Sequence, residues 1–441
     1  MKFFCVIIFF VIFQHCSFDD KTGIWKNENN ISKKDNDLFK EFETMSTSDK
    51  IFNQTIPIKK NYKFILSKPL QNLEWKDIFF DSSNNFKNFK YNNLNKLIFK
   101  SNKISKYKTN NNILFEKNHL ITSDEKGNVI TYSINEKKII SKFNFYKKKH
   151  KNIKKKLNLI IERNIIYVSD NIGYLYAYDY KTDKILWAKY YKVPFRSNLK
   201  LLKNKLIASS HTNNLFYFDK SNGNILKSFP TEEIVVQNEF INNLSLNNDS
   251  LFFLNSYGSL YSIDNKDLRI RWFVNLNQSL DLTTSNLFTS TQIINNKNKI
   301  IISSNKSTYI IDSNNGSILY KSNIVSQIKP VIFNDHLFLI TKNNLLVVIE
   351  LNSSKIIYSH NINEKIAKFF NTDKKLVEFK EMLIVNNNIY VFLKNSYLLK
   401  FNLNGSLVEI NKLPSKINSQ PIFINGSLLY LDFKKKLSII D

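Results

Sequence analysis

Apolar and polar positions alternate along most of the chain in short runs, each broken by a polar turn. The clearest copy runs Tyr174-Leu175-Tyr176-Ala177-Tyr178-Asp179, turns at Lys181-Thr182-Asp183, and returns in a second run through Trp187. Strict alternation of this kind, seen again in Leu215-Phe216-Tyr217-Phe218, fits a strand buried between stacked sheets and not a helix. The hairpin recurs with Asp219, Asp264 and Asp312 at the turn, and more weakly with Asn135, Glu350 and Asn402. An eighth, truncated copy ends the chain at Asp441. Successive turn residues lie 44, 40, 45, 48, 38, 52 and 39 positions apart. Another apolar pair precedes each hairpin, as in Leu199–Ser209 and Pro330–Thr341, which brings each unit to about four strands. Units of that size at that period spell an all-β, eight-bladed β-propeller of four-stranded blades.

The turn chemistry agrees with the unit. The Asp or Asn side chain accepts a backbone N–H of the turn, and Gly223, Gly316 and Gly405 tolerate positive φ. Trp187 and Trp272 close two units, where a large ring fills the wedge between blades. Phe143, Phe229 and Tyr320 stand near that position elsewhere, so the pattern reads as one of aromatic volume. A propeller with a truncated last unit needs a strand from the other terminus to close it. The strand-like piece Leu73–Phe79, with Trp75, is expected to supply it and to remove the exposed edges.

Three segments follow from this reading. Residues 1–16 form a leader whose run from Phe3 to Phe13 is apolar throughout, too short for a membrane span and suited to a signal peptide. Cys16 at its end is the expected lipid attachment point, although Gln14 and His15 depart from the small residues usual before such a cysteine. Residues 17–72 are polar and aperiodic and read as a flexible tether. Residues 73–441 form the propeller.

Composition removes several function classes. Both cysteines, Cys5 and Cys16, sit in the leader, so the remaining chain has neither a disulfide nor a thiolate metal site. The six histidines are scattered without metal-binding spacing, and no metal or cofactor is expected. No G-x-S-x-G, phosphate-cradling glycine loop or H-E-x-x-H occurs. Acidic neighbours such as Glu232-Glu233, or Asp281, do not by themselves make an acid–base pair. The chain therefore reads as a non-enzyme. Net charge is +27, densest at Lys147–Lys156. That run has no interleaved aromatic on which a base would stack, so nucleic acid is not the expected partner. Solvated surface lysines account for it, with contact to anionic headgroups as the residual reading.

The stretch Gly173–Asp179 through Thr182 to Trp187 resembles the repeat of pyrroloquinoline-quinone-type propellers. Together with the leader, the tether and the terminal strand, the chain resembles the BamB family, lipoprotein subunits of the machinery that assembles outer-membrane β-barrels. The resemblance covers roughly residues 73–441. It implies a non-catalytic scaffold, lipid-anchored on the periplasmic face of a Gram-negative outer membrane. Its partner would be the POTRA domains of a BamA-like barrel-inserting subunit, with unfolded outer-membrane proteins as further clients. Family contacts come from loops of neighbouring blades, an arginine in one and acidic residues in the next. Here Arg196 matches the first, and Glu232, Glu233 and Glu239 are candidates for the second. Two alternatives remain open: a quinone-dependent dehydrogenase with its cofactor and Ca²⁺ on the propeller axis, and a generic periplasmic ligand-binding propeller.

Overall fold

The computed structural model describes residues 51–146, 150–233, 241–277, 287–371 and 377–441, with the backbone of two short strands nearer the N-terminus. Those two, Cys16–Phe18 and Trp25–Asn27, pair antiparallel in register Cys16↔Asn27 and belong to a separate unit, Met1–Asp49. The unit Lys50–Asp441 holds the propeller.

Eight antiparallel sheets follow one another along the chain. The first blade runs Leu114–Glu116, His119–Ser123, Asn128–Ser133 and Lys138–Asn144. The second runs Leu157–Glu162, Ile165–Asp170, Tyr174–Asp179 and Lys184–Tyr190. Later blades repeat this order, innermost strand first. The second and third strands are deeply buried because neighbouring blades cover both their faces: Val168, Tyr176, Ala177 and Tyr217 have no exposed surface. Apolar clusters accordingly lie between adjacent blades; one joins Leu175 and Trp187 of the second blade to Leu206 and Phe218 of the third.

The predicted turn residues end their third strands at Asp179, Asp219, Asp264, Asp312, Glu350 and Asn402. Asp219 Oδ1 accepts the Ser221 N–H at 2.8 Å, and Asp312 Oδ1 that of Asn314 at 2.7 Å. In the first blade the position falls on Ser133 and not Asn135; Ser133 Oγ accepts the Glu136 N–H at 3.2 Å.

The junctions between blades correct the expectation about aromatic volume. The ring of Trp187 lies against Gly223 in the next blade's turn, where a Cβ would sit 2.5 Å from it, and Nε1 donates to the Lys220 carbonyl at 2.9 Å. Trp272 repeats this on Gly316 and the Ser313 carbonyl at 3.1 Å. Tyr358 does so on Gly405 and the Leu403 carbonyl at 2.8 Å. At the corresponding position of the third blade stands Lys227, two residues before Phe229, and its Nζ donates to the Leu268 carbonyl at 2.6 Å. In the first blade that position is Ser141, two before Phe143. In four blades, then, the position carries a donor to a carbonyl of the next blade's turn, and a large ring is one way to carry it.

Ring closure also differs from expectation. An N-terminal strand does close the ring, but it is Leu97–Lys103, which pairs antiparallel with Lys436–Ile440 as the outermost strand of the eighth blade. Trp75, expected there, lies on the axis instead, exchanging backbone hydrogen bonds of 2.7 and 2.8 Å with Phe115 of the first blade's innermost strand. Full burial of its ring among Phe80, Phe86 and Phe89 suits the axis, whereas an outermost strand is largely solvent-lapped. Residues 51–72, read as the end of the tether, already lie against the propeller: Ile56 pairs with Ser359, and Leu70 with Phe89.

Candidate functional site

Strand alternation sorts the connections onto two faces. One face carries the hairpin turns, such as Asp219–Gly223, and the turns between first and second strands. The other carries the loops between blades and the turns between second and third strands. Arg196, Glu232 and Glu233 all belong to the second face.

Arg196 follows Trp187 in the loop from the second blade to the third. Phe195 is buried beside Tyr191 and Phe218 and anchors this loop. The Arg196 N–H donates to the Ser209 carbonyl at 3.0 Å, and its own carbonyl accepts the Asn242 N–H at 2.9 Å. A parallel bridge, Ser197↔Asn242, adds to this zip. The loop that carries the acidic candidates therefore returns alongside Arg196. Arg196 is half-buried, and its charge adds to burial in pushing the His211 imidazole below its ordinary pKa.

The other end of that loop is tied by Asn213, which takes the Thr231 hydroxyl on its carbonyl at 2.7 Å and donates Nδ2 to the Glu232 carbonyl at 3.0 Å. The Glu232 carboxylate turns toward the fourth blade. It accepts Ser259 Oγ at 2.5 Å, Asn255 Nδ2 at 2.7 Å and the Tyr261 hydroxyl at 2.9 Å. Burial works to raise its pKa, but these donors win and hold it below the ordinary carboxylate value. Glu233 is exposed, and its carbonyl accepts the Tyr257 hydroxyl at 3.3 Å. Glu239 lies outside the described residues. Of the candidates, then, Glu232 and Glu233 are exposed and Arg196 is half-buried on the neighbouring loop, and the Glu232 carboxylate is taken up by donors of the next blade. Its asparagine and tyrosine partners come from the next blade, where no motif marked them.

Residues 75–92 cross the axis at the opposite face, a feature that carried no repeat signal. This strap touches every blade. Its backbone bonds the first blade through Trp75, the second through Lys76 O and Ile161 N at 3.1 Å, and the fourth through Ser82 O and Leu246 N at 2.8 Å. Ser83 O accepts the Asn295 N–H of the fifth blade at 3.0 Å, and Asn92 donates to Gly426 in the eighth at 2.9 Å. Asn85 exchanges bonds of 3.0 and 2.9 Å with Ile332 of the sixth. Asn88–Phe89 adds a parallel fifth strand to the seventh. The third blade sends Lys200, its side chain fully buried, to Asp77 Oδ2 and Asn84 Oδ1, both at 2.6 Å. Beside these, Lys329 Nζ sits 3.1 Å from the centre of the Phe86 ring and donates to the Asn84 carbonyl at 2.9 Å. Burial pushes Lys329 down to about 7 and Glu381 up to about 7.

The fit of this axis to a cation-bound quinone can be judged from its donor set. The strap fills it with aromatic rings and with lysines bound to the chain's own oxygens. Among the described residues no three His, Cys, Asp or Glu side chains converge on one point. The residues present do not fit such a group.

Residues 115–360 match the family model described as outer membrane protein assembly factor BamB. The chain belongs to the BamB family. The crystal structure of BamB from Moraxella catarrhalis is similar in fold, with TM-score 0.60 and 12% identity over 77% of this chain and 99% of that one. Quinohemoprotein alcohol dehydrogenase from Comamonas testosteroni is also similar, with TM-score 0.60 and 9% identity over 84% of this chain and 81% of that one. So is the computationally designed Ika8 protein, at 0.56 and 10% over 77% and 99%. Identities this low establish the propeller alone; the BamB assignment rests on the family model. No curated protein matches the chain in sequence. Among the described residues no helix is long and apolar enough to cross a membrane.

Proposed function

We propose that this BamB-family chain is a non-catalytic scaffold of outer-membrane β-barrel assembly, and that it binds the POTRA domains of a BamA-like subunit and aids insertion of barrel proteins. The binding surface is the face on which the loop of Arg196 and the loop of Glu232-Glu233 run side by side. The observation that carries this reading is the backbone zip between Arg196 and Asn242, which sets the end of the acidic loop beside the loop of Arg196 on neighbouring blades. The axis filled by the strap supports a scaffold over a quinone enzyme. Lipid attachment at Cys16 would hold the propeller at the periplasmic side of the outer membrane.

Purification from native envelopes through a tag on this chain tests the reading. A POTRA-bearing outer-membrane protein should co-elute with the wild type. Arg196→Ala should reduce its recovery by roughly tenfold or more without lowering the unfolding midpoint, as loss of a central arginine contact does. Unchanged recovery from Arg196→Ala, or no such protein in the wild-type eluate, would overturn it. Glu233→Lys should act like Arg196→Ala. Glu232→Ala should instead loosen the loop, because it strands three donors of the fourth blade.

A further inference from the structure

The face that carries Arg196 is not uniform. On the same face, where the eighth, first and second blades meet, the loops form a continuous basic ridge. Its exposed cations include Lys106, Lys108, Lys126, Lys416 and Lys434. Hydrogen bonds stitch the ridge together from loop to loop. Phe433 N donates to the Lys416 carbonyl, Lys435 Nζ to the Lys106 carbonyl and Glu125 N to the Lys108 carbonyl, each at 2.9 Å. Lys155 N continues it to the Glu125 carbonyl at 2.9 Å. The acids within this stretch are turned away. Asp124 and Asp432 are buried, the first accepting Asn128 and Ser105 and the second the Lys436 N–H. Glu125 is half-covered and lies 4.0 Å from Lys154.

Large apolar side chains stand at the crest of the same ridge. Tyr107 is 40% exposed, Ile153 45% and Phe433 55%, each in a different loop. Lys126 lies 5.7 Å over the Tyr107 ring and Lys416 4.7 Å over that of Phe433. Those positions cover ring faces on which nucleic-acid bases would stack, and Ile153 offers no such face. They leave ring edges and an aliphatic tip projecting beside cations. That is the arrangement for entering the apolar boundary of a headgroup layer while ammonium groups meet phosphate.

We propose that this ridge docks the propeller on an anionic phospholipid surface, with Tyr107, Ile153 and Phe433 inserted and the neighbouring lysines on headgroup phosphates. The site is distinct from the Arg196–Glu233 loops and does not depend on the partner assigned to them.

The test uses the full chain carrying Cys16→Ser, so that no lipid on residue 16 can hold it. Flotation is measured with vesicles of phosphatidylglycerol and phosphatidylcholine against vesicles of phosphatidylcholine alone. The chain should bind the anionic vesicles at least about tenfold more tightly and lose them at about 0.5 M salt. Lys106→Gln, Lys108→Gln, Lys126→Gln and Lys416→Gln combined should weaken binding roughly a hundredfold or more. Tyr107→Ser with Phe433→Ser, which leaves the charge unchanged, should weaken it roughly tenfold. The matching set on the opposite face, Lys203→Gln, Lys266→Gln, Lys297→Gln and Lys355→Gln, should stay within about twofold. Unfolding midpoints confirm that each variant is folded. Equal loss from the two lysine sets would mean that net charge alone binds, and would overturn the proposal. So would no loss from the Tyr107 and Phe433 pair, or an oligonucleotide held by the ridge as tightly as the anionic vesicles.

Discussion

Two parts of the molecule hold the ring together by opposite means. The junction at Trp187 is a neighbour's contact: one side chain, one glycine and one carbonyl of the next blade, with variants at Lys227, Trp272 and Tyr358. The strap is a hub, reaching all eight blades from one segment. A nearest-neighbour array tolerates a weak joint because the others are independent of it. A hub couples every joint to a few buried polar groups, so damage there reaches the whole ring.

Asp77→Ala breaks the hub most severely. It leaves the fully buried Lys200 ammonium without its carboxylate, and should lower unfolding stability by about 3–5 kcal/mol, read from the denaturant midpoint. Gly223→Ala attacks one junction. The new Cβ meets the Trp187 ring at 2.5 Å on a residue whose φ is +76°, and about 2–3 kcal/mol should be lost. Trp187→Phe keeps most of the ring but removes the donor to Lys220, for about 1 kcal/mol in the same measurement. If Trp187→Phe cost as much as Asp77→Ala, the distinction between junction and hub would fail.

The gentlest probe is a slope, set by Glu381 beside the hub. Its Oε1 is buried without a hydrogen-bond partner, and burial holds the folded carboxyl up near 7 against 4.5 in the open chain. The folded state therefore binds the extra proton between those values, and this group favours folding as pH falls through about 7. Stability of the wild type relative to Glu381→Gln should rise from pH 8 to pH 5; a flat or falling difference would contradict it.

The same contrast decides what could be read from the chain. Hairpins are local, so Asp179, Asp219, Asp264 and Asp312 marked their turns directly, and the family-like stretch ending at Trp187 followed from them. Spacing slipped by two at Asn135 because Ser133 does the same capping with a hydroxyl. The closing strand was hidden for a physical reason. Leu97–Lys103 is mostly exposed, with Ile98 at 54%, and an outermost strand needs no strict alternation. Trp75 was conspicuous for its burial, which an axial strap shares with a core strand. Among the candidates, the loop position of Arg196 was legible from its place after Trp187. The commitment of Glu232 was not, since its three donors lie in the following blade and the contact has no sequence spacing of its own.

Closure by Leu97–Lys103 also sets an order of events during synthesis. The strand's partner, Lys436–Ile440, is made long after it, and Asp441 itself exchanges backbone hydrogen bonds with Lys96 at 3.1 and 3.0 Å. Trp75, Phe80, Phe86 and Phe89 leave the ribosome early, yet their shared shelter is complete only when distant blades exist. Contacts so far apart in sequence form slowly, and aromatic surface waits exposed in the meantime. A nascent chain of this design gains from a holdase at its N-terminal end, and any truncation before residue 436 leaves the ring with an open seam.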